Sequence, residues 1–302
     1  MSELASESLQ HSGFAPAALA AAGLDEADVR RVVATALAED LRYGPDATTA
    51  ATVPADAAAV AALTPRRPGT VAGLPVALAV FDAVLDSYEV LDQVADGTTL
   101  PAGKPALVVR GPVRGLLTAE RTALNLLCHL SGVATATAAW VASVAGTGCA
   151  IRDTRKTLPG LRLVQKYAVR QGGGVNHRLG LGDAVLIKDN HVVAAGSVAA
   201  ALAAVRERAP ELPCEVEVDG LDQLDAVLAM AADEVLLDNF TPEQCAEAVR
   251  RRNAAGVSTR LEASGGLTLD RARVYAETGV DYLSIGALTH SVVALDLGMD
   301  LE

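Results

Sequence analysis

The chain has few aromatic residues: one Trp, five Tyr and three Phe among 302 residues. It is also poor in positive charge, with 25 Lys and Arg against 37 Asp and Glu and a formal net charge of -12. Nucleic-acid binding needs stacking platforms and a broad basic face, so this composition argues against such a partner. Cysteine is scarce and scattered. Cys128, Cys149, Cys214 and Cys245 form no C-x-x-C pair and lie in apolar segments, which suggests buried thiols of a reducing compartment, the cytoplasm, and no thiolate metal site. The opening MSELASESLQHSGF carries acids and no basic stretch ahead of an apolar block, so it does not read as a secretory signal, and residues 1–23 read as a flexible extension.

Charge of either sign is absent from residues 122–151. That length could span a bilayer. The segment nevertheless contains Asn125, His129, three Gly and many Ser and Thr, and a break is expected near Ser131 and Gly132, which predicts two buried helices of soluble length and no membrane span.

Lysine is rare too: four against 21 Arg, and three of the four, Lys156, Lys166 and Lys188, fall within residues 152–191. This stretch holds eight Lys or Arg against three Asp, while the rest of the chain holds seventeen against thirty-four acids. A local basic cluster in an acidic chain suits a small, strongly anionic ligand. Where the sequence keeps Lys instead of Arg, a compact ammonium is expected to be needed.

Length and composition allow about two domains with a large core (51% hydrophobic residues). The first third mixes elements irregularly, with an amphipathic helix over 25–41, strands near 60 and 70, a helix over 76–85 and strands over 88–94 and 106–110, an α+β pattern. From residue 149 the chain alternates. Strands over 149–153, 184–187, 214–218, 234–237, 261–263 and 282–285 are separated by helices such as 197–209, 221–231, 242–254 and 269–278, which predicts a parallel sheet covered by helices. Each strand ends in a polar group: Arg155 and Lys156, Lys188, Glu217 with Asp219, Asp238, Ser264 to Gly266, and Gly286. These converge only if the strands form a ring, and about 150 residues is too few for eight standard units.

The last two units, LEASGGLTLDRARVYAETGVDYLSIGALTH, carry a phosphate signal. Backbone N–H groups at Gly265, Gly266 and Gly286 can approach an oxyanion closely. Glu217 and Asp238 end neighbouring strands, where they could serve ribose hydroxyls or a Mg²⁺ shared with phosphate oxygens, or simply offset the basic cluster. In GGGVNHRLGL three glycines exceed what a helix stop requires and deliver His177 and Arg178 toward Arg155 and Lys156. The preceding stripe of Arg162, Lys166 and Arg170 reads by itself as a solvated face.

The stretch DTRKTLPGLRLVQKYAVRQGGGVNHRLGLGDAVLIKDNH, with ERTALNLLCHLSGVAT before it and EVEVD, LLDN, EASGG and SIGALTHS after it, resembles the quinolinate phosphoribosyltransferase family, the carboxylating enzymes of NAD biosynthesis. The resemblance runs from about residue 36 to the end. It implies an N-terminal α+β sandwich over 1–128, an incomplete α/β barrel over 129–287, and a tail over 288–302 that returns to the first domain. It also implies quinolinate contacts from Arg121, Thr154, Arg155, His177, Arg178 and Lys188. Lys156 would lie between quinolinate and phosphoribosyl pyrophosphate (PRPP), with Glu217 and Asp238 near the ribose and Mg²⁺-pyrophosphate. Ser264, Gly265, Gly266, Gly286 and His290 would take phosphate. Lys156, Glu217 and Asp238 are the implied catalytic residues, Mg²⁺ arrives mainly with PRPP, and no organic cofactor is needed. The implied assembly is a homodimer, open to higher oligomers, in which Arg121 enters the neighbouring site. Cys128 stands where the family more often has Gln.

Two rival readings remain. A strand-end Lys188, if desolvated, could form a Schiff base in a phosphosugar aldolase or isomerase. A non-catalytic anion-binding protein would hold PRPP and release no pyrophosphate.

Overall fold

The computed structural model describes residues 13–302. The chain divides into two compact units, Met1–Gly132 together with Val293–Glu302, and Val133–Val292.

The first unit opens on a helix where an extension is expected. Of the expected flexible extension, residues 1–12 lie outside the described residues, but Phe14–Ala22 is a helix, α1, with Ala15 and Leu19 buried and Gly23 closing it at φ 64°. Asp82 caps α1 from 67 residues away, accepting the Ala15 N–H at 2.8 Å. A cap so distant in sequence leaves no local signal. Asp25 and Asp46 provide ordinary local caps for α2 (Glu26–Asp40) and α3 (Ala47–Thr52). There follow β1 (Ala58–Pro65), β2 (Gly69–Thr70), α4 (Leu74–Val84), β3 (Glu89–Gln93), β4 (Thr99–Leu100) and β5 (Leu107–Pro112). The main sheet is antiparallel, in the order C-terminal strand Leu297–Leu301, β1, β5, β3. The chain's last strand thus pairs with its first, with Met299 opposite Leu63. Helices α1 and α2 pack on α4, whose residues from Leu74 to Phe81 are all buried.

The uncharged segment also differs from expectation. It belongs to one continuous helix, α5 (Val113–Ser143), with no break at Ser131 and Gly132. Ser131 Oγ accepts the Ala72 N–H at 3.1 Å, so the hydroxyl serves a neighbouring backbone while its own helix continues. Gly132 is there for proximity: a Cβ on it would lie 2.6 Å from the Val293 carbonyl oxygen. This helix is long and apolar enough to cross a membrane by length and composition alone. Its apolar side chains are accounted for within the protein, since Leu116, Leu124, Leu127, Leu130 and Val133 are buried.

The second unit contains β6 (Ala150–Arg152), α6 (Arg162–Gln171), β7 (Val185–Ile187), α7 (Asp189–Ala195), α8 (Val198–Arg208), β8 (Cys214–Val218), α9 (Leu221–Ala229), β9 (Glu234–Asp238), α10 (Pro242–Ala255), β10 (Arg260–Ser264), α11 (Ala272–Ala276), β11 (Tyr282–Ser284) and α12 (Ala287–His290). The expected helix over 269–278 is a 3-10 turn, Leu269–Arg271, followed by the short α11. All six strands are parallel, in the order β6-β11-β10-β9-β8-β7. The first strand pairs with the last, which is ring order with one seam open between β6 and β7. This is the incomplete α/β barrel. Strand residues such as Val216, Val235, Leu237, Leu261 and Leu283 are fully buried, and the function of such a barrel falls at the C-terminal strand ends.

Candidate active site

Two chain segments bring the cations to the C-terminal rim. The first leaves β6 as Asp153, Thr154, Arg155 and Lys156. The second leaves α6 through Gly172, Gly173 and Gly174 to reach His177 and Arg178. The three glycines have steric reasons: a Cβ on Gly172 would lie 2.5 Å from the Ala134 carbonyl oxygen, one on Gly174 2.8 Å from Thr137 and Val169 side chains, and Gly173 sits at φ 86°. The second segment then runs beside β6, with the Val175 N–H donating to the Ile151 carbonyl at 2.8 Å.

Asp153 lies at the centre of this junction. It is fully buried and accepts from Lys166 Nζ, from Asn176 Nδ2 at 2.6 Å and from the His177 N–H at 2.8 Å. Lys166 Nζ also donates to the His177 carbonyl at 2.9 Å. The stripe expected to be a solvated face is therefore corrected at its middle, since Lys166 is 0% exposed. Burial raises the Asp153 pKa and lowers that of Lys166, and each is opposed by the partner's charge. Sequence periodicity placed Lys166 among cations and could not show that an Asp thirteen residues earlier would meet it.

Arg178 NH1 donates at 3.1 Å to the carbonyl of Ala184, which precedes β7, and Arg178 feels the charge of Arg155. Burial, and next the Arg155 charge, hold the Arg178 guanidinium below its usual range. Among the described residues Arg155 Nε is a buried donor with no hydrogen-bond partner, an exception to the usual pairing of buried polar groups. Lys156, Thr154, His290 and Gly286 also meet: a Cβ on Gly286 would lie 3.0 Å from Lys156 Cδ, 3.4 Å from His290 Nε2 and 3.6 Å from Thr154 Oγ1. Lys188 Nζ bonds Glu217. Asp238 Oδ2 accepts from Asn239 Nδ2 at 2.8 Å, and the Asn239 N–H donates to the Ser264 carbonyl at 2.8 Å. Gly265, at φ 97°, would place a Cβ 2.2 Å from Asn239 Oδ1, whereas around Gly266, at φ 61°, there is open space. Gly265→Ala is accordingly expected to cost more than about 1 kcal/mol of stability and to raise KM for a phosphorylated substrate, read by thermal melting and steady-state kinetics.

The barrel interior under this rim is ionic. Arg152 NH1 donates at 2.7 Å to both Glu234 and Glu262 and stacks 3.6 Å from the Tyr282 ring centroid. Burial, then the Glu215 charge, pushes Glu262 up to about 7. His177, Glu215 and Glu262 have metal-ligand spacing, yet the donor pattern argues against a metal. The Arg178 N–H points at His177 Nδ1 from 2.7 Å, so the proton of a neutral ring sits on Nε2, which donates to Glu215 at 2.7 Å. Neither ring nitrogen of His177 then keeps a lone pair for an ion.

Thus Thr154, Lys156, Gly286 and His290 lie together, Lys188 pairs with Glu217, and Asp238 and Ser264 both bond Asn239. His177 turns both ring nitrogens toward protein atoms. Arg121 belongs to the first unit, exposed on α5. Residues that sequence reasoning passed over are Asp153, Asn239 and Gln165. Gln165 is fully buried, accepts the Leu158 N–H at 2.9 Å and donates to the Thr289 carbonyl at 2.6 Å. Only Asn239 left a signal, as a residue that tolerates its φ of 56° immediately after a strand-end acid.

An incomplete parallel barrel with paired arginines, lysines and a glycine-lined edge at its C-terminal rim defines an enzyme class that handles small, polyanionic, phosphorylated substrates. Within that class, residues 133–300 match the quinolinate phosphoribosyl transferase C-terminal domain and residues 46–131 its N-terminal domain, so the chain belongs to the quinolinate phosphoribosyltransferase family. It is 61% identical over 274 residues to the nicotinate-nucleotide pyrophosphorylase [carboxylating] of Mycobacterium leprae, spanning 90% of this chain and 96% of that one. The Homo sapiens protein of the same name is 41% identical over 80% of this chain and 82% of its own. The solved structure of the nicotinate-nucleotide pyrophosphorylase from Francisella tularensis superposes with a TM-score of 0.88 at 38% identity, covering 92% of this chain and 98% of that one.

Proposed function

We infer that the protein transfers the phosphoribosyl group of PRPP to quinolinate and decarboxylates the product, giving nicotinate mononucleotide, pyrophosphate and CO₂ in NAD biosynthesis. The observation that carries this reading is the cluster of Lys156, Thr154 and His290 around Gly286, next in sequence to Arg155, whose Nε is buried and unpartnered and whose charge is felt by Arg178. Two guanidiniums suit a dicarboxylate, and the cluster suits phosphate.

Quinolinate is a dianion and PRPP carries more negative charge, so the substrates repel one another; the cationic rim lowers that repulsion. Arg155 and Arg178 hold the carboxylates and orient the ring nitrogen toward C1′ of the ribose. As the bond to pyrophosphate breaks, positive charge grows on the ribose, where Glu217 and Asp238 support it, while Lys156 takes up negative charge on the departing side. The nitrogen of the product is quaternary, so loss of the adjacent carboxylate leaves electrons stabilised by that charge, and a proton replaces CO₂.

Glu217 is engaged by Lys188 and Asp238 by Asn239, so these acids suit a Mg²⁺ that PRPP oxygens mainly ligate and do not suit a protein cage. Such an ion would neutralise pyrophosphate. Lys188 is 45% exposed and ion-paired, unlike the desolvated amine an aldolase needs. Cys149, Cys214 and Cys245 are buried, and burial pushes their thiols up to about 12, 11 and 12, which suits inert residues in the cytoplasm. The proposed assembly is a homodimer in which Arg121 enters the neighbouring site, in line with its exposure on α5.

Turnover of quinolinate, PRPP and Mg²⁺, followed as nicotinate mononucleotide, tests the reading. Nicotinate should replace quinolinate with at least about 100-fold lower kcat/KM, because a ligand lacking one carboxylate leaves a cation unpaired. Comparable use of nicotinate, or PRPP binding without pyrophosphate release, would refute it.

A further inference from the structure

Lys166 has no place in the chemistry just described, yet it is fully buried in the middle of α6. Burying an ion pair is rarely the way to make a fold more stable, since apolar residues of similar volume do as well or better. Its retention calls for a geometric reason. An apolar pair would fill the space but would supply neither donors nor acceptors.

The bonds give that reason. Asp153 is the residue directly before Thr154, Arg155 and Lys156, and Asn176 and His177 are the residues directly before Arg178. Through Lys166 and Asp153 the backbone N–H of His177, its carbonyl and the Asn176 side chain are all fixed to the end of β6. Asn176 Nδ2 adds a bond back to the Lys166 carbonyl at 2.9 Å. The two arms that carry the paired arginines are therefore joined at their bases by one buried cation. A compact ammonium can reach the Asp153 carboxylate and the His177 carbonyl at once within a fully enclosed space, and a planar guanidinium would need more room.

We propose that Lys166, together with Asp153, is a positioning residue that sets the spacing of Arg155 and Arg178 and so determines quinolinate affinity. The proposal rests on the function inferred above. Misplacing a binding group by about 1 Å can cost up to about 100-fold, so the predicted effect falls on quinolinate far more than on PRPP, much of whose site is built on β10, β11 and α12.

The test is the double variant Asp153→Asn/Lys166→Met, which removes both charges and leaves none buried alone. It should melt within a few degrees of the wild type. Its KM and calorimetric Kd for quinolinate should rise about 10- to 100-fold, with KM for PRPP changed less than about threefold. Hydrogen exchange, which needs no substrate, should quicken in the segment 174–178. A purely structural pair would instead lower the melting temperature and leave quinolinate affinity and exchange unchanged. Asn176→Ala, which keeps the ion pair and removes one link, should shift quinolinate KM in the same direction by a smaller factor, and it decides the matter if the double variant does not fold. Wild-type quinolinate affinity in the folded variants, or equal weakening of both substrates, overturns the proposal. Wild-type turnover tests the inferred reaction by itself, so the two failures are distinct.

Discussion

Lys156→Arg is expected to lower kcat/KM by at least about 100-fold, about 2.7 kcal/mol of transition-state stabilisation. The Lys156 backbone is held on both sides: its N–H donates to Thr154 Oγ1 at 3.0 Å and its carbonyl accepts from Thr289 Oγ1 at 2.9 Å. Its stem passes so close to Gly286 that even a Cβ there would come within 3.0 Å. A bulkier planar head must either displace the Gly286 turn or point elsewhere, and the compact charge between the two substrates is lost. Lys188→Arg should lose a comparable factor by a different route, because a guanidinium would grip Glu217 with two donors and draw it from the ribose side. Lys104→Arg, at an exposed position near a turn, should stay within about twofold of the wild type. Kinetics of the three variants side by side decide the point: equal behaviour would mean that the scarcity of lysine carries no information.

That scarcity was legible because it is compositional, as were the strands of the second unit, whose apolar runs end in polar groups. The strand order was legible too, since polar residues at six strand ends serve one site only in a ring. Other features depend on residues distant in sequence. Asp82 caps α1 from across the first unit, and without it the Ala-rich start of the chain reads as an extension. The continuity of α5 through Ser131 and Gly132 depends on Ala72 and Val293, which receive the hydroxyl and the bare backbone. Lys166 looked solvated because helical periodicity reports which residues share a face and not what that face meets. The cations around His177 suggest a place beside the anion, but the Glu215 carboxylate that accepts from its Nε2 lies 38 residues later and leaves no local signal. Local patterns thus point to charged candidates at the strand ends, while the groups that orient them depend on long-range pairing.

The remaining large effect concerns Arg121, which precedes the barrel unit and is exposed on α5. If it completes the site of a neighbouring chain, Arg121→Ala and Lys156→Ala should each be inactive as homodimers, with losses of at least about 100-fold, and should regain activity when unfolded together and refolded. The expected recovery follows from counting. Random pairing makes half the dimers mixed. In each mixed dimer one site combines an intact Arg121 from one chain with an intact Lys156 from the other, and the second site carries both lesions. One good site in two, in half the dimers, gives roughly a quarter of wild-type activity. A site built within a single chain has no such route, since every site then keeps one lesion whatever its neighbour. The measurement is kcat per chain in the refolded mixture against each variant refolded alone, with dimer content checked by sedimentation. Stable mixed dimers that recover no activity would show that Arg121 serves its own chain or only supports the fold.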